Sequence, residues 1–521
     1  MADTKKDSTI FPTAEDAERI ALYQHNDLLA EGKHFDVWNI KSDNQMTRYY
    51  ASLRYIVCNF AGLASKVMAD MLFGEPIKVH CNTDANQLFL DALIFNNKLH
   101  IQNHESAMNN SARGDALYKV RTGKRYPTDD KDSVIIEEIS PLIYFPELDP
   151  GNVRAVPLSE TLAWVISEGN TAYLRKEIHK GGNIRNEVYE YDSKKKQIIS
   201  QIDWAVWMQT HPGSAPEQIA TKVKRSLIIH VPNFRRGSRY FGVSDYHDLE
   251  SLFFALNNRI TKIDNILDKH SDPILAVPEG VLDENGNVRK EALGMFEIPA
   301  EGSSQKPEYI VWNANLEAAF SEIDKMLEML FMFSEISPDT LGMGKGQSDS
   351  GRALKLKLLR TIAKKKRKER YYDQALKEVF LVAQELAKAW GLSEVMDGKT
   401  VKAPDSAETP EIEYGDGVVN DTFEQAQEEQ IRLDSGNTTV KASIMRLDGV
   451  DEKTAEKLAK EIDEEGGLNL PLTKPAPTDQ PSPDETMPGD MMPAKNMPPK
   501  PAPSKMPMAA GPAAPNQVSK R

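Results

Sequence analysis

The sequence is poor in cysteine, because only Cys58 and Cys81 occur among its 521 residues. Two thiols cannot build a disulfide framework or a four-thiolate zinc site, so proteins stabilised in these ways are excluded. Long hydrophobic runs are absent too, since no segment reaches the roughly 18 consecutive apolar residues of a membrane span. Residues 1–7 contain no apolar stretch like that of a secretory signal. We therefore expect synthesis in a reducing cytoplasm and no membrane partner.

The signatures of common hydrolases and metal enzymes are missing as well. The chain has no His-Glu-x-x-His zinc motif and no Gly-x-Ser-x-Gly nucleophile turn. His100 and His104 lie near Glu105, but no further ligand cluster accompanies them. Glu137 and Glu138 are adjacent in a predicted strand, so their side chains point to opposite faces and make a poor catalytic pair. The sequence predicts no catalytic residue, no metal site and no cofactor.

Positive charge is scarce overall, since 64 Lys and Arg stand against 78 Asp and Glu and give a formal net charge of −14. This balance argues against a protein that coats nucleic acid, although local patches decide binding. Residues 352–370 hold ten basic side chains and one acid, whereas residues 404–466 hold 18 acids and six bases. The cations at 364–368 are, taken alone, typical of a solvated helix face.

The first half of the chain changes from helical to β-type sequence. Helices are predicted over residues 12–32, 47–73 and about 84–112, from apolar residues at helical spacing and from terminal Pro and Gly. Residues 114–231 hold short β-type runs separated by turn residues. The pattern indicates an α+β fold, and the length is enough for about three to four domains.

The second half is dominated by helices. Residues 246–271 and 315–335 each carry one apolar stripe, and the β-type segment 273–313 between them reads as a small inserted module. Residues 352–390 predict one very long helix, and residues 421–465 a small acidic helical unit. The remaining tail is rich in Pro and Met, with 14 of the 31 prolines in the last 51 residues, and is predicted to be disordered.

A glycine-rich stretch over residues 342–351 precedes the long helix. Such a loop can cradle phosphate at a helix N-terminus, but it is not a P-loop, because Lys345 is followed by Gly346 instead of Ser or Thr. It also lacks a preceding strand, since residues 315–335 read as helix. A mobile loop that carries one cation fits the sequence better. Asp349 or Ser350 is suited to cap the helix that follows.

The order of these elements resembles the portal (head-to-tail connector) proteins of tailed bacteriophages, particularly those of long-tailed phages of Gram-positive hosts. Five stretches carry the resemblance, which spans roughly residues 15–466: Asn59-Phe60 with Phe73-Gly74-Glu75-Pro76-Ile77; Gly114-Asp115-Ala116-Leu117-Tyr118; Tyr240-Phe241-Gly242-Val243-Ser244-Asp245 with Asn257, Asn258 and Arg259; Ser350-Gly351-Arg352-Ala353-Leu354-Lys355-Leu356-Lys357; and Gly436-Asn437-Thr438-Thr439 before the helix at 452–465.

The resemblance implies a non-enzymatic ring, typically of twelve subunits, at one vertex of the virion capsid. The ring would be the channel for packaging and ejection of double-stranded DNA, without sequence specificity. It implies an α/β wing, a two-helix stem, a small α/β clip insert, a long tunnel-side helix, a helical crown and a disordered tail. These parts would be residues 1–245 (wing), 246–272 and 314–336 (stem), 273–313 (clip), 337–351 (tunnel loop), 352–391 (long wing helix), 392–466 (crown) and 467–521 (tail).

The resemblance also implies sites and partners. The clip would bind the terminase large subunit and later the head-completion adaptor, and capsid and scaffold proteins would be further partners. The residues implied at the channel are Gly342, Gly344, Lys345, Gly346, Gln347 and Ser348. Those implied at the clip are Asn285, Gly286, Asn287, Arg289 and Lys290. The basic run would face either DNA or, as the favoured reading, an acidic neighbouring subunit: Lys364, Lys365, Lys366, Arg367 and Lys368.

Three other functions stay open at this point. A packaging ATPase would need Walker A and Walker B sequences, and neither is present. A scaffold or minor head protein would be mostly helical and would lack the β-rich regions at 114–231 and 273–313. A bacterial interaction protein with no viral role would not form a ring with a central hole.

Overall fold

The longest helix is the centre of the fold. In the computed structural model its residues Tyr372, Leu376, Val379, Ala383 and Leu386 are buried, as the spacing of four and three predicts. The structure describes residues 10–38, 55–271, 274–276, 308–310, 316–344, 351–415, 417, 422–450 and 452–464. Both helices and sheets form, so the predicted α+β class is confirmed. The predicted disordered tail, 467–521, lies outside these residues.

Two of the three helices described before residue 74 begin at a side-chain cap. Helix α1 is Ala14–Ala30, and the Thr13 hydroxyl accepts from the backbone N–H of Asp16. A short helix α2, His34–Val37, follows. Helix α3 is Phe60–Phe73, where the side chain of Asn59 accepts from the N–H of Gly62. The second predicted helix was expected to begin at residue 47. Residues 55–59 are not helical, so the prediction was wrong for them, and residues 47–54 lie outside the described part.

The helix predicted over 84–112 is in fact two helices. They are α4, Asp84–Asn96, and α5, Leu99–Arg113. Lys98 between them has a φ of 51°, in the left-handed region, which ends a helix. Asn97 holds the break in place, since its side chain bonds both the Leu93 carbonyl and the backbone N–H of Ile136 in the neighbouring strand. A tertiary contact therefore overrides the helical periodicity.

Two antiparallel sheets account for most of the β region. The strands are β1 Lys78–His80, β2 Asp115–Gly123, β3 Ser133–Ile139, β4 Tyr144–Glu147, β5 Ser159–Glu168, β6 Thr171–Lys180, β7 Asn183–Asp192, β8 Gln197–Ile202, β9 Gln218–Ala220 and β10 Ile228–Pro232, with helix α6, Trp204–Thr210, between β8 and β9. The first sheet has the order β10-β2-β3, and the second β4-β5-β6-β7-β8 with β9 against β7. The first sheet packs against α5 and the longest helix, and this interface is the largest apolar core.

The predicted pair of striped helices is α7, Glu250–Ser271, and α8, Leu316–Ser334. They pack against each other through Phe253, Leu256 and Leu330. Both stripes continue beyond this contact, because Leu267 and Phe320 are 46% and 49% exposed. Between the helices, β11 (Ile274–Ala276) pairs antiparallel with β12 (Glu308–Ile310). The clip residues Asn285, Gly286, Asn287, Arg289 and Lys290 lie outside the described residues.

The long helix is interrupted once. Helix α9 is Gly351–Lys357 and α10 is Leu359–Trp390, with Gly391 in the left-handed region as the C-cap. Leu358 has a ψ of 0°, away from the helical value, although its N–H still donates to the Leu354 carbonyl. The predicted continuous helix is thus corrected by one irregular residue, while its predicted end at Gly391 is confirmed.

The acidic C-terminal segment has two structural parts. Strands β13 (Ser393–Met396) and β14 (Lys399–Lys402) form a hairpin, and β15 (Glu411–Glu413) pairs with β1. Helices α11 (Thr422–Asp434), α12 (Val440–Asp448) and α13 (Glu452–Glu464) then follow, as the acidic helical pattern predicts. The chain divides into two compact units, Met1–Gln425 and Ala426–Arg521. The predicted crown, 392–466, therefore includes β-structure that belongs to the first unit.

Candidate functional site: the anchors of the glycine-rich loop

The glycine-rich loop is described at both ends. A 3-10 turn, Pro338–Leu341, leads into it, and Gly342 ends that turn with a φ of 69°. Gly344 lies against the end of the Asp339 side chain. The left-handed backbone of Gly342 favours glycine at that position. Of the predicted channel residues, Lys345, Gly346, Gln347 and Ser348 lie outside the described residues.

The start of the loop is fastened to α10 by backbone hydrogen bonds. The N–H of Ser337 donates to the Thr361 hydroxyl at 2.7 Å. The Lys364 ammonium donates to the Ser334 carbonyl at 2.9 Å. Both bonds are buried, so each satisfies a polar group at the C-terminal end of α8 that would otherwise be costly to bury. The end of α8 therefore cannot shift without breaking contacts to α10.

Glu335 adds a charged clamp at the same place. It has a φ of 57°, which is uncommon for a residue with a side chain and reverses the chain after α8. Its carboxylate pairs with Arg360 at 3.0 Å and also with Arg367. Two guanidinium groups on α10 thus hold the residue at which the chain turns towards the glycine-rich loop.

A buried ion cluster lies directly beneath this clamp. Asp245 is 2.6 Å from Lys368 and 3.3 Å from Lys364, and all three side chains are at least nine-tenths buried. Asp245 also accepts from the Ser111 hydroxyl at 2.5 Å, and Lys368 also donates to Asn233. The cluster joins α5, the segment after β10, and α10. It links the sheet-containing part of the first unit to the helix that anchors the loop.

The environment of the cluster changes the ionisation of its members. Burial alone would raise the pKa of Asp245, but the ammonium groups of Lys364 and Lys368 outweigh burial and hold that pKa well below its usual range. Burial, together with the charge of Lys364, lowers the pKa of Lys368 to about 8. At neutral pH the aspartate is ionised and the lysine still protonated, so the cluster is a charged one.

The basic run predicted from the sequence is divided between the interior and the surface. Lys364, Lys365 and Lys368 are buried, and Lys365 lies near Glu369 at 3.5 Å. These three make contacts within the subunit, and the exposed Arg367 does so as well, through its ion pair with Glu335. Lys366 is exposed and is therefore the member of the run most available for the predicted contact with DNA or a neighbouring subunit. The reading of the whole run as a solvated face is corrected.

The sequence did carry a signal for the buried lysines. Positions 361, 364, 368 and 372 continue the apolar stripe of α10 towards its N-terminus, so these side chains face the same way as Tyr372. Their partner Asp245 lies 123 positions before Lys368 and has no pattern that points to it. Among the described residues, no group of three or more His, Cys, Asp and Glu side chains is arranged to hold a metal ion. Nor is any helix there long and apolar enough to cross a membrane.

A protein-family model for phage portal proteins, SPP1 Gp6-like, matches residues 11–467. No curated protein matches the chain. The portal family is structural, and membership implies an oligomeric ring at the capsid vertex that interacts with capsid and terminase. Two antiparallel sheets also contradict a mostly helical scaffold. The resemblance seen in the sequence is thus confirmed: the chain belongs to the SPP1 Gp6-like family of phage portal proteins and serves as a portal protein in phage DNA packaging.

Proposed function

We propose that residues 337–351 form the channel loop of a non-enzymatic, twelve-subunit portal ring and contact duplex DNA as it passes. The observation that carries this proposal is that the start of the loop is anchored to α10. Glu335 and Ser337 make the contacts from the side of the loop, and Lys364 makes one from α10. A segment that contacts a moving polymer needs fixed ends, because only then is force on the loop transmitted to the body of the subunit.

The composition of the loop suits weak contacts with the DNA backbone. Lys345 is the one cation among residues 342–351, and Gln347 and Ser348 are uncharged hydrogen-bonding residues. Each neutralised phosphate strengthens binding and releases counterions, so a densely basic loop would hold the DNA in place. One cation per subunit favours guidance without base recognition.

The loop proposal is tested with a variant in which Lys345, Gln347 and Ser348 are all changed to Ala. We expect rings of normal size but less DNA packaged per head. Lys194→Ala is the matched control, because it removes an exposed cation from the turn between β7 and β8, outside both the loop and the basic run. Normal packaging density and yield in the triple variant would refute the proposal.

We also propose that residues 273–313 form the clip, which receives the terminase large subunit and later the head-completion adaptor. The support is that β11 and β12 pair and close this segment between α7 and α8. Asn285, Gly286, Asn287, Arg289 and Lys290 form the proposed contact. The double change Arg289→Glu and Lys290→Glu should weaken capture of terminase by assembled rings, and unchanged capture would exclude those two cations.

A further inference from the structure

A cleft in the first unit has no role in the functions above. It lies between the segment before β5, the segment that leads into β10, and α10, and has a volume of about 550 Å³. A smaller cavity of about 100 Å³ adjoins it and shares Val156, Glu160 and Arg225 with it. We call the two together the wing cleft.

The wing cleft is cationic in a chain whose net charge is −14. Its lining contains five cations, Arg154, Lys180, Lys224, Arg225 and Arg235, and two carboxylates, Glu160 and Glu378. Both carboxylates are already engaged within the subunit. Glu160 accepts from the Tyr144 hydroxyl at 2.6 Å, and Glu378 pairs with Arg225 at 2.8 Å. The cleft therefore presents an excess of positive charge to an incoming group.

Two buried nitrogen atoms in the wing cleft have no partner among the described residues. They are Nδ1 of His230, whose side chain is 4% exposed, and Nε of Arg235. The His230 ring cannot turn to find another partner, because its Nε2 is held at 2.6 Å from the Asp115 carboxylate. Buried polar groups are almost always hydrogen-bonded, and the Nε–H of Arg235 is a donor that a bound anion would satisfy.

Tyr240 brings the two unpaired groups to the same part of the cleft. The His230 ring stacks on Tyr240 with centroids 4.7 Å apart, and the Arg235 guanidinium lies 5.2 Å from the Tyr240 centroid. The rim is apolar, with Val156 76% exposed and Leu158 also exposed. A ligand would thus meet hydrogen-bond donors and positive charge at the floor and apolar side chains at the edge.

We propose that the wing cleft binds an oxyanion, either a phosphate group or a carboxylate side chain of a protein partner. The oxyanion would accept from the guanidinium of Arg235, whose Nε–H has no partner among the described residues. Lys224 and Arg154 would supply further positive charge. The apolar rim favours the carboxylate of a peptide that carries a neighbouring apolar residue. This site is independent of the proposed channel loop.

The test uses assembled rings of the full chain and two probes, inorganic phosphate and a capped glutamyl-leucine dipeptide. Binding of phosphate to a large ring broadens its phosphorus NMR line, and the dipeptide is then added as a competitor. We expect Arg235→Gln to weaken binding at least about tenfold, the effect of losing one charged hydrogen bond. Lys224→Gln is a second variant at an exposed position that cannot upset the core.

Arg239→Gln is the matched control, because Arg239 is an exposed arginine on the same segment that does not line the wing cleft. Displacement of phosphate by the dipeptide would support a protein partner. Phosphate binding that the dipeptide does not disturb would support a phosphate-bearing ligand. Binding of neither probe, or equal binding by the Arg235→Gln and Arg239→Gln rings, would overturn the proposal.

Discussion

Asp245 is the buried counter-ion of Lys364, the lysine that donates to the end of α8. It faces Lys364 and Lys368 in the interior, so its removal leaves two buried ammonium groups without a counter-ion. We expect Asp245→Asn to lower the free energy of unfolding by about 3–5 kcal/mol, the usual cost of breaking a buried pair. Denaturant unfolding followed by circular dichroism at pH 7 measures this.

Asp248→Asn is the matched control for Asp245, because Asp248 is exposed and pairs with Arg236 and His247 at the surface. Such a pair contributes about 0–1 kcal/mol, so the control should unfold close to the wild type. Equal stability of the Asp245→Asn variant and this control would show that the buried cluster does not hold the subunit together.

The pKa of Asp245 also predicts how this effect depends on pH. A carboxyl whose pKa is lower in the folded chain than its usual 3.8 stabilises the fold above that usual value. The stabilisation is lost as pH falls through the folded pKa, since the carboxyl then becomes protonated in both states. We expect the stability difference between wild type and Asp245→Asn to shrink as the pH is lowered below 3.8. A difference that stays constant with pH would contradict the assignment of the charge to Asp245.

At the scale of elements, the junction of α8 and α10 decides how the channel loop is held. Glu335→Gln removes the charge that pairs with Arg360 and Arg367 while keeping the size of the side chain. Both arginines are partly exposed, so we expect little change in overall stability. The expected effect is easier proteolytic cleavage at the start of the loop and less DNA packaged per head.

Glu317→Gln serves as the control for this prediction. Glu317 is an exposed acid in the first turn of the same helix, at the opposite end from Glu335. Both variants lose one negative charge, one at the start of α8 and one just after its end, so a difference between them reports the clamp and not the net charge. Identical cleavage and packaging in the two variants would mean that the clamp has no role in holding the loop.

Helices and strands were predicted correctly from the sequence where the spacing of apolar residues matches the burial of those residues in the structure. The stripe on α10 is buried as predicted, because five of its apolar residues face one sheet. The prediction of one continuous helix failed at Asn97. The Asn97 side chain is hydrogen-bonded to a neighbouring strand, and the helix ends there although the apolar pattern continues. The buried ion cluster was missed as well, because it also depends on a tertiary contact. Lys368 looks like a surface cation in the sequence, and only the fold places Asp245 beside it.

For the whole molecule, the family implies a ring, and we expect electron microscopy of the full chain to show rings with a central channel wide enough for duplex DNA. Exposed apolar residues on α7 and α8 support contacts between subunits, since a ring needs two different complementary faces. Class averages fix the subunit number, for which we expect twelve. Monomers that persist across concentration and salt would contradict assembly by this chain alone.

Salt dependence separates the two uses proposed for the exposed part of the basic run. If Lys366 pairs with an acidic neighbour, rings should dissociate more readily at high ionic strength, because exposed pairs are screened. Changing Lys366 to Glu should then weaken rings further at low salt. Rings that are indifferent to both changes would leave contact with DNA as the remaining use.

The sequence by itself determined the α+β class, the striped helices and the glycine-rich loop, because periodicity and backbone chemistry act over a few neighbouring residues. Its order of motifs also led to the portal family, which the family match over residues 11–467 confirms. Only the tertiary structure decided which cations are internal and where His230 and Arg235 meet. Asp245 and Lys368 are 123 positions apart, and a contact over that distance depends on the path of the whole chain.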